Sequence, residues 1–178
     1  MKVKRIAVDS DKLEGTLLSL LRGHVFHVTK AKNYASILSA GAIEPNQDDR
    51  FEYSFCQSEI SYGRKRGYVC FFDLRSIEEK ELERALCKLY FLNPYHNYHA
   101  IFFLLKEEAY KDLISWTAAK KEVRFEEMYI PYVECWYPGR VPLALISHVY
   151  DVTIEPSTIF DRALYSARNE EDSGGNND

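Results

Sequence analysis

The stretch Gly23–Gly41, GHVFHVTKAKNYASILSAG, changes its hydrophobic period part-way along, and this change predicts the local fold. In its first half, Phe26 and Val28 alternate with His27 and Thr29. A two-residue period is typical of a strand with one buried face. His27 and Thr29 are therefore expected to share one face of this strand.

The second half of the stretch has the period of a helix. Apolar side chains fall at i, i+3, i+6 and i+7 on one helical face, and Gly41 follows where a left-handed residue commonly ends a helix. The sequence therefore predicts a strand that continues through a short turn into a helix. The four apolar positions are Ala31, Tyr34, Ile37 and Leu38.

Glu134 lies in the segment Ile130–Trp136, where its neighbours are strongly apolar. Burying a carboxylate without a partner is costly, so a buried glutamate here is expected to have a partner or a chemical function. The same residue could instead lie on the solvent face of an edge strand, because Pro131 interrupts the strand predicted at residues 128–136. The residues alone leave both interpretations open.

The strand–turn–helix pattern of Gly23–Gly41 resembles the opening motif of the NAD-using ADP-ribosyltransferases. His27–Thr29, the following helix with Ile37–Leu38, and Gly41 are similar to that motif in the branch of DNA-modifying DarT-like toxins and RNA 2'-phosphotransferases. In those proteins the unit holds the adenosine part of NAD. The resemblance therefore implies that NAD is the cofactor, used as a substrate, and that His27 and Thr29 contact its adenosine ribose.

The segment around Glu134 resembles the third motif of the same family. There a glutamate on a strand is followed by a turn, a Val-Pro pair and a closing strand, as Val141–Pro142 and residues 148–154 follow here. In the family this glutamate is the catalytic carboxylate. The resemblance implies that role for Glu134.

A middle motif is expected at residues 61–73, where a basic turn punctuated by glycine precedes a predicted strand. In ADP-ribosyltransferases the second strand supplies side chains that pack against nicotinamide, and the resemblance assigns this role to Tyr68. Either Arg64 or Arg66 is expected to bind the pyrophosphate through its guanidinium group. A solvated basic turn in front of a core strand is the alternative.

The charge distribution bears on which macromolecule would accept ADP-ribose from an enzyme of this family. The chain carries 27 acidic and 23 basic residues, and residues 169–178 contain four of the acids and no base. The remainder is formally neutral, so no overall charge attracts nucleic acid. DarT-like toxins usually carry a histidine directly after the threonine, where this chain has Lys30. Both features count against DNA as the acceptor more than against the NAD fold, and the acceptor is expected to be DNA, RNA or protein.

The periodicity alone predicts only alternating strands and helices. The resemblance implies an α+β fold like that of the ADP-ribosyltransferases: a split, mostly antiparallel β-sheet around a cleft, with flanking helices. Residues 1–167 are predicted to form a single domain and residues 168–178 an acidic, disordered tail. A serine–glutamate capping box at Ser76–Glu79 predicts one helix start. Further strands are predicted at residues 3–8, 68–74, 100–105 and 148–154, and further helices near residues 13–21 and 106–114.

Several classes of protein are disfavoured. No run of about 18 apolar residues predicts a membrane segment, and without a recognisable secretory signal we expect a cytoplasmic protein. His96 and His99 have an i, i+3 spacing, but two ligands are too few to predict a metal site. Reduced thiols are expected at the four widely spaced cysteines, Cys56, Cys70, Cys87 and Cys135.

The sequence and the resemblance thus favour a NAD-dependent ADP-ribosyltransferase-like enzyme that modifies a macromolecular acceptor, and the resemblance implies a toxin or defence protein. One alternative is a degenerate transferase fold that acts as a non-catalytic binding module. A second is an RNA 2'-phosphotransferase, which would need more basic residues lining the cleft than the sequence reveals.

Overall fold

The computed structural model describes residues 1–51, 60–93 and 99–157. The predicted acidic tail, Cys56 and His96 lie outside these ranges. The strands are β1 (Lys2–Asp9), β2 (Val25–Lys30), β3 (Ala42–Ile43), β4 (Tyr68–Asp73), β5 (His99–Leu105), β6 (Ile114–Ser115), β7 (Glu134–Pro138), β8 (Val141–Pro142) and β9 (Ile146–Glu155). The α-helices are α1 (Leu13–Leu21), α2 (Tyr34–Ala40), α3 (Tyr62–Lys65), α4 (Glu79–Leu86) and α5 (Trp116–Ala119).

Seven strands form one sheet in the order β1-β9-β5-β2-β4-β7-β6, and β3 pairs with β8 in a separate two-stranded sheet. The pair β1–β9 is parallel, whereas β9–β5, β5–β2, β2–β4, β4–β7 and β7–β6 are antiparallel. The predicted α+β class with a mostly antiparallel sheet is therefore confirmed. Within the described residues, no helix has the length and apolar character needed to cross a membrane.

The sheet is interrupted in the middle, between β2 and β4. These two strands pair at Val25 with Asp73 and at Phe26 with Phe72, and their ladder stops there. Beyond that point, the ladder of β2 continues with β5 and the ladder of β4 continues with β7. The sheet therefore consists of a first half, β1-β9-β5-β2, and a second half, β4-β7-β6, which are joined at one end of the two central strands.

Apolar side chains cover both faces of the sheet. On one face, α1 and α4 pack over a cluster that includes Phe26 and Phe102, both fully buried. On the other face, α2 packs against a cluster that includes Phe71 and Phe103. These two clusters account for the predicted alternation in β2, because Phe26 and Val28 belong to the first and Val25 to the second.

The predicted strand–turn–helix unit at residues 23–41 is confirmed. Strand β2 ends at Lys30, a short 3₁₀ turn follows at Ala31–Asn33, and α2 runs to Ala40. Gly41 has a φ of 67°, which is the left-handed conformation that glycine adopts without steric cost.

The local prediction for the start of α4 was wrong. The predicted capping box does not form, because α4 begins at Glu79 after an N-cap at Glu78 that makes no side-chain cap hydrogen bond. The short helix predicted near residues 106–114 is present as a 3₁₀ helix at Glu107–Asp112.

The strand predicted over residues 128–136 begins only at Glu134. Pro131 has no backbone N–H to donate to a ladder, and Tyr132 adopts a left-handed φ of 71°. The backbone instead forms a turn in which the Glu134 N–H donates to the Ile130 carbonyl at 3.0 Å. The glutamate therefore stands at the first position of β7, directly after a turn.

Candidate active site

A cavity of about 490 Å³ occupies the opening between β2 and β4. This volume lies within the range of small-molecule and cofactor sites. Its wall combines residues of both halves of the sheet with α2, the segment that follows it, and the turn before β7. Of the residues predicted to act on NAD, those that line this cavity are His27, Thr29, Arg64, Tyr68 and Glu134.

His27 projects from the part of β2 that has no partner in β4. Its Nδ1 lies 2.8 Å from the carbonyl oxygen of Cys70, across the interruption in the sheet. A carbonyl only accepts hydrogen bonds, so Nδ1 carries the hydrogen. Burial lowers the pKa of His27 despite this bond, so the ring is neutral and Nε2 is an acceptor. Nε2 can therefore accept a hydrogen bond from a ligand hydroxyl.

Thr29 is two residues further along β2 and is 4% exposed. Its Oγ1 accepts a hydrogen bond of 2.8 Å from the side-chain amide of Asn33. Asn33 ends the 3₁₀ turn before α2 and itself lines the cavity. The strand–turn–helix unit therefore places a hydroxyl and an amide side by side, which is an arrangement suited to polar groups of a bound ligand.

Glu134 is a buried carboxylate, with 5% of its surface exposed. Its Oε1 accepts hydrogen bonds from the Cys70 thiol and the Trp136 indole N–H, each at 3.1 Å. Its Oε2 accepts from the backbone N–H of Ile130 at 2.6 Å. All three donors are neutral, and no salt bridge to Glu134 is found in the described part of the chain.

This environment changes the acidity of the carboxyl. Burial raises the pKa of Glu134 from 4.5 to about 7, and the three hydrogen-bond donors only partly offset the effect. A buried acid with a strongly shifted pKa that lines a cavity is a common property of catalytic sites. The exposed position on an edge strand, which the sequence left open, is excluded.

His27 and Glu134 reach the cavity from opposite faces of the sheet. The His27 ring packs beside Phe71, whereas the Glu134 carboxylate contacts the side chain of Cys70, and consecutive residues of β4 point to opposite faces. The cavity passes between β2 and β4 and is therefore lined by both groups. Cys70 connects them, since its carbonyl contacts His27 and its thiol contacts Glu134.

The structure distinguishes the two predicted arginines. Arg64 lines the cavity, and its guanidinium contacts the Asn46 carbonyl and the Asp49 carboxylate. Arg66 is not part of the cavity lining. Its guanidinium forms a 3.0 Å ion pair with Glu127 and stacks on the Tyr62 ring at 3.8 Å. Of the two arginines, only Arg64 is therefore placed to contact a ligand there.

Tyr68 is the first residue of β4 and pairs with Pro138 of β7. It is partly buried, and its side chain lines the cavity. An aromatic ring in this place offers a flat surface to a ring of the ligand.

Several residues of the site are not predicted by the sequence. Tyr129 and Ile130 line the cavity because the turn before β7 bends towards it, and the apolar pattern of that segment predicts a continuous strand instead. Tyr90 and Lys88 also line the cavity, from the segment after α4. No local signal marks these two, because their position depends on how that segment packs against the sheet.

Metal binding and nucleophilic catalysis by cysteine gain no support from the described residues. Within these, no group of three or more metal-binding side chains is close enough to hold an ion. His99 instead contacts Asp151 at 2.6 Å. Cys70 and Cys135 are free thiols whose burial raises their pKa well above the usual value, so neither is an activated nucleophile.

No family model, curated protein or solved structure matches this chain. Its function is therefore inferred from the geometry of the cavity and from the sequence motifs that line it.

Proposed function

We propose that this protein is a NAD-dependent, ADP-ribosyltransferase-like enzyme that transfers ADP-ribose to a macromolecular acceptor. The observation that carries the proposal is the meeting of two distant motifs in one cavity. His27 and Glu134 are separated by more than half of the chain, yet both line the opening between β2 and β4.

The first half of the sheet is proposed to bind the adenosine part of NAD. The neutral His27 ring presents Nε2 as an acceptor for a ribose hydroxyl, because Nδ1 is committed to the Cys70 carbonyl. Thr29 is proposed to contact the same ribose. Arg64 supplies the cation for the pyrophosphate, and this requires its guanidinium to exchange or share its contact with Asp49.

The second half of the sheet is proposed to hold the reactive end. Tyr68 would pack against nicotinamide, and Glu134 would lie beside the ribose attached to it. Cleavage of the bond between nicotinamide and ribose takes the bonding electron pair to nicotinamide and leaves oxocarbenium-like positive charge on the sugar. A fixed carboxylate stabilises that charge and can hold a ribose hydroxyl or accept a proton from the acceptor.

The raised pKa of Glu134 gives this proposal a characteristic pH dependence. Only the ionised carboxylate stabilises positive charge or accepts a proton. With a pKa of about 7, the ionised fraction increases as the pH rises through neutrality. Cleavage of NAD should therefore accelerate with pH and level off above about pH 8, as measured by initial rates of nicotinamide release.

The experiment that tests the proposal is nicotinamide release from NAD by the purified protein. We expect release by the wild type and a reduction of about 10²–10³-fold in Glu134→Gln, by analogy with the loss of one electrostatic stabiliser in other enzymes. Glu79→Gln, which changes an exposed carboxylate far from the cavity, is the matched control and should keep the wild-type rate.

Binding must be measured beside cleavage. His27→Ala should weaken NAD binding, measured by calorimetry, while the corresponding His148→Ala change on the exposed surface of β9 should not. A wild-type protein that neither binds nor cleaves NAD would refute the proposal. Binding without cleavage would instead identify the non-catalytic module.

A further inference from the structure

The hydrogen bonds around Glu134 make its two oxygens unequal. Oε1 accepts two hydrogen bonds, from the Cys70 thiol and the Trp136 indole. Oε2 accepts one, from the Ile130 backbone. Each oxygen of a carboxylate has two lone-pair positions, so Oε1 is saturated and Oε2 retains one acceptor position.

The indole of Trp136 is itself held firmly. It is fully buried, and its ring lies 4.7 Å from that of Tyr62. Gly63 packs directly against it, so closely that an added Cβ would lie 2.1 Å from Cδ1 of the indole. Helix α3 can therefore approach β7 only with a glycine at this position, and this approach fixes the indole N–H against Glu134.

Cys70 is fixed just as firmly, though by backbone pairing. It lies in the middle of β4, opposite Trp136 of β7, and its carbonyl accepts the hydrogen bond from His27. Cys70 and Trp136 are thus neighbours on adjacent strands, and both direct their donors to the same oxygen of Glu134.

We infer that Cys70 and Trp136 are positioning residues that together anchor Oε1 of Glu134, orient Oε2 towards the bound ribose, and set the pH at which the carboxyl ionises. This inference rests on the proposed function for the identity of the ligand, but not for the behaviour of the carboxyl. The thiol acts here only as a hydrogen-bond donor, and no covalent step is assigned to it.

The neighbouring charges support this assignment. Among the described residues, the only titratable group in hydrogen-bond contact with the Glu134 carboxylate is the Cys70 thiol. Burial is the main cause of the raised pKa of Glu134, and no nearby charge contributes to it. The donors are therefore the main means of adjusting its ionisation. The other titratable groups that line the described cavity are His27, Glu44, Arg64, Tyr68, Lys88, Tyr90 and Tyr129.

A pair of substitutions at one position gives opposite predictions. In Cys70→Ser a hydroxyl, which is a stronger donor than a thiol, stabilises the ionised carboxylate and lowers the midpoint of its titration. In Cys70→Ala one donor is lost and the midpoint rises. Each shift should be about one pH unit, because a donor to a charged oxygen is strengthened in one variant and lost in the other. Trp136→Phe should shift the midpoint upward, as Cys70→Ala does.

The direct measurement is the titration of the Glu134 side-chain carboxyl by NMR in protein with ¹³C-labelled glutamate, assigned with Glu134→Gln. The exposed thiol of Cys87 provides the control, since Cys87→Ser should leave the midpoint unchanged. Midpoints in the order Cys70→Ser, wild type, Cys70→Ala support the inference. Equal midpoints in folded variants, or shifts of the same sign for serine and alanine, overturn it.

This measurement separates the inference from the proposed function. The titration needs no NAD, so the predicted order in a protein that does not cleave NAD would refute the function and leave the anchoring of Oε1 intact. Where NAD is cleaved, the midpoint of the pH–rate profile should move with the titration in each variant. Cleavage with unshifted midpoints would retain the function and overturn the inference. Should Cys70→Ala fail to fold, Cys70→Ser and Trp136→Phe decide the outcome.

Discussion

The two halves of the sheet are held together by different interactions. In the first half, β1 pairs with β9 along its whole length, and β5 pairs with both β9 and β2. Its side chains supply much of the two apolar clusters on the faces of the sheet, which also include Val69 and Phe71 of β4. In the second half, β6 has two residues, and polar contacts around Arg66 and Glu134 hold the connecting segments. The first half is thus held together mainly by apolar packing, whereas polar contacts contribute more in the second half.

The largest expected effect on stability lies in the first half. Phe26 is fully buried and its ring contacts those of Phe72, Phe91 and Phe102. Phe26→Ala should lower the free energy of unfolding by about 3–5 kcal/mol, because the lost apolar contacts are replaced by a cavity. Denaturant titration measures this loss. The matched control is Phe125→Ala, since Phe125 is fully exposed and its removal should change stability by less than about 0.5 kcal/mol.

The second-largest expected effect on the free energy of unfolding lies in the second half and depends on pH. The pKa of Glu134 is raised on folding from 4.5 to about 7, so the stabilisation from this group is complete below pH 4.5 and is lost as the pH rises through about 7. The shift corresponds to about 3 kcal/mol. The free energy of unfolding of Glu134→Gln should therefore fall less than that of the wild type between pH 4.5 and pH 8.

The comparison requires both proteins to be measured across the same pH range by chemical denaturation. The absolute stability of the variant is not the test, because glutamine changes the hydrogen bonds with Ile130 and Trp136 as well. Parallel curves for wild type and variant would show that Glu134 does not titrate with a raised pKa.

The same difference between the halves explains what the sequence could predict. In β2 the alternation of side chains predicts the strand, and in β5 the unbroken apolar run at residues 100–105 predicts a central strand, which is buried on both faces. Glu134 was recognised because a carboxylate among apolar neighbours is unusual. The hydrogen-bond donors to its carboxylate are not predicted by the sequence, because the thiol comes from β4, the indole from β7 and the N–H from a turn at Ile130. Such contacts depend on strand register and on a left-handed residue at Tyr132, neither of which periodicity encodes.

Arg64 and Arg66 also show that the sequence pattern does not determine tertiary contacts. Arg64 and Arg66 share one basic turn, and the sequence did not distinguish their roles. Helix α3 separates them: its N-cap is Ser61, and Arg66 follows its last turn with the guanidinium directed at Glu127 and Tyr62. The direction of a side chain at the end of a four-residue helix is decided by tertiary contacts.

These arginines give a third prediction, of intermediate size. The Glu127 side chain is 3% exposed; although burial alone would raise its pKa, the ion pair with Arg66 and the backbone N–H of Arg124 hold it below the usual value. Arg66→Met should therefore destabilise the protein by about 2 kcal/mol, less than for a fully buried pair because Arg66 is 21% exposed.

Arg64→Met is the matched comparison for Arg66→Met. It should weaken NAD binding, measured by calorimetry, while changing the free energy of unfolding by less than about 1 kcal/mol, because Asp49, its partner, is mostly exposed. If Arg66→Met were the variant that lost NAD affinity while remaining as stable as the wild type, the assignment of the two arginines would be reversed.

The smallest expected effect concerns an ion pair at the surface of the first half. Arg22, just after α1, contacts both carboxylate oxygens of Glu79 at the start of α4, at 2.9 and 2.8 Å. Both side chains are about half exposed, so water and salt screen their attraction. Arg22→Met should therefore lower stability by at most about 0.5 kcal/mol, and 1 M NaCl should abolish even this difference. A salt-resistant loss comparable to that of Arg66→Met would mean that polar contacts support both halves of the sheet equally, and the contrast between them would fail.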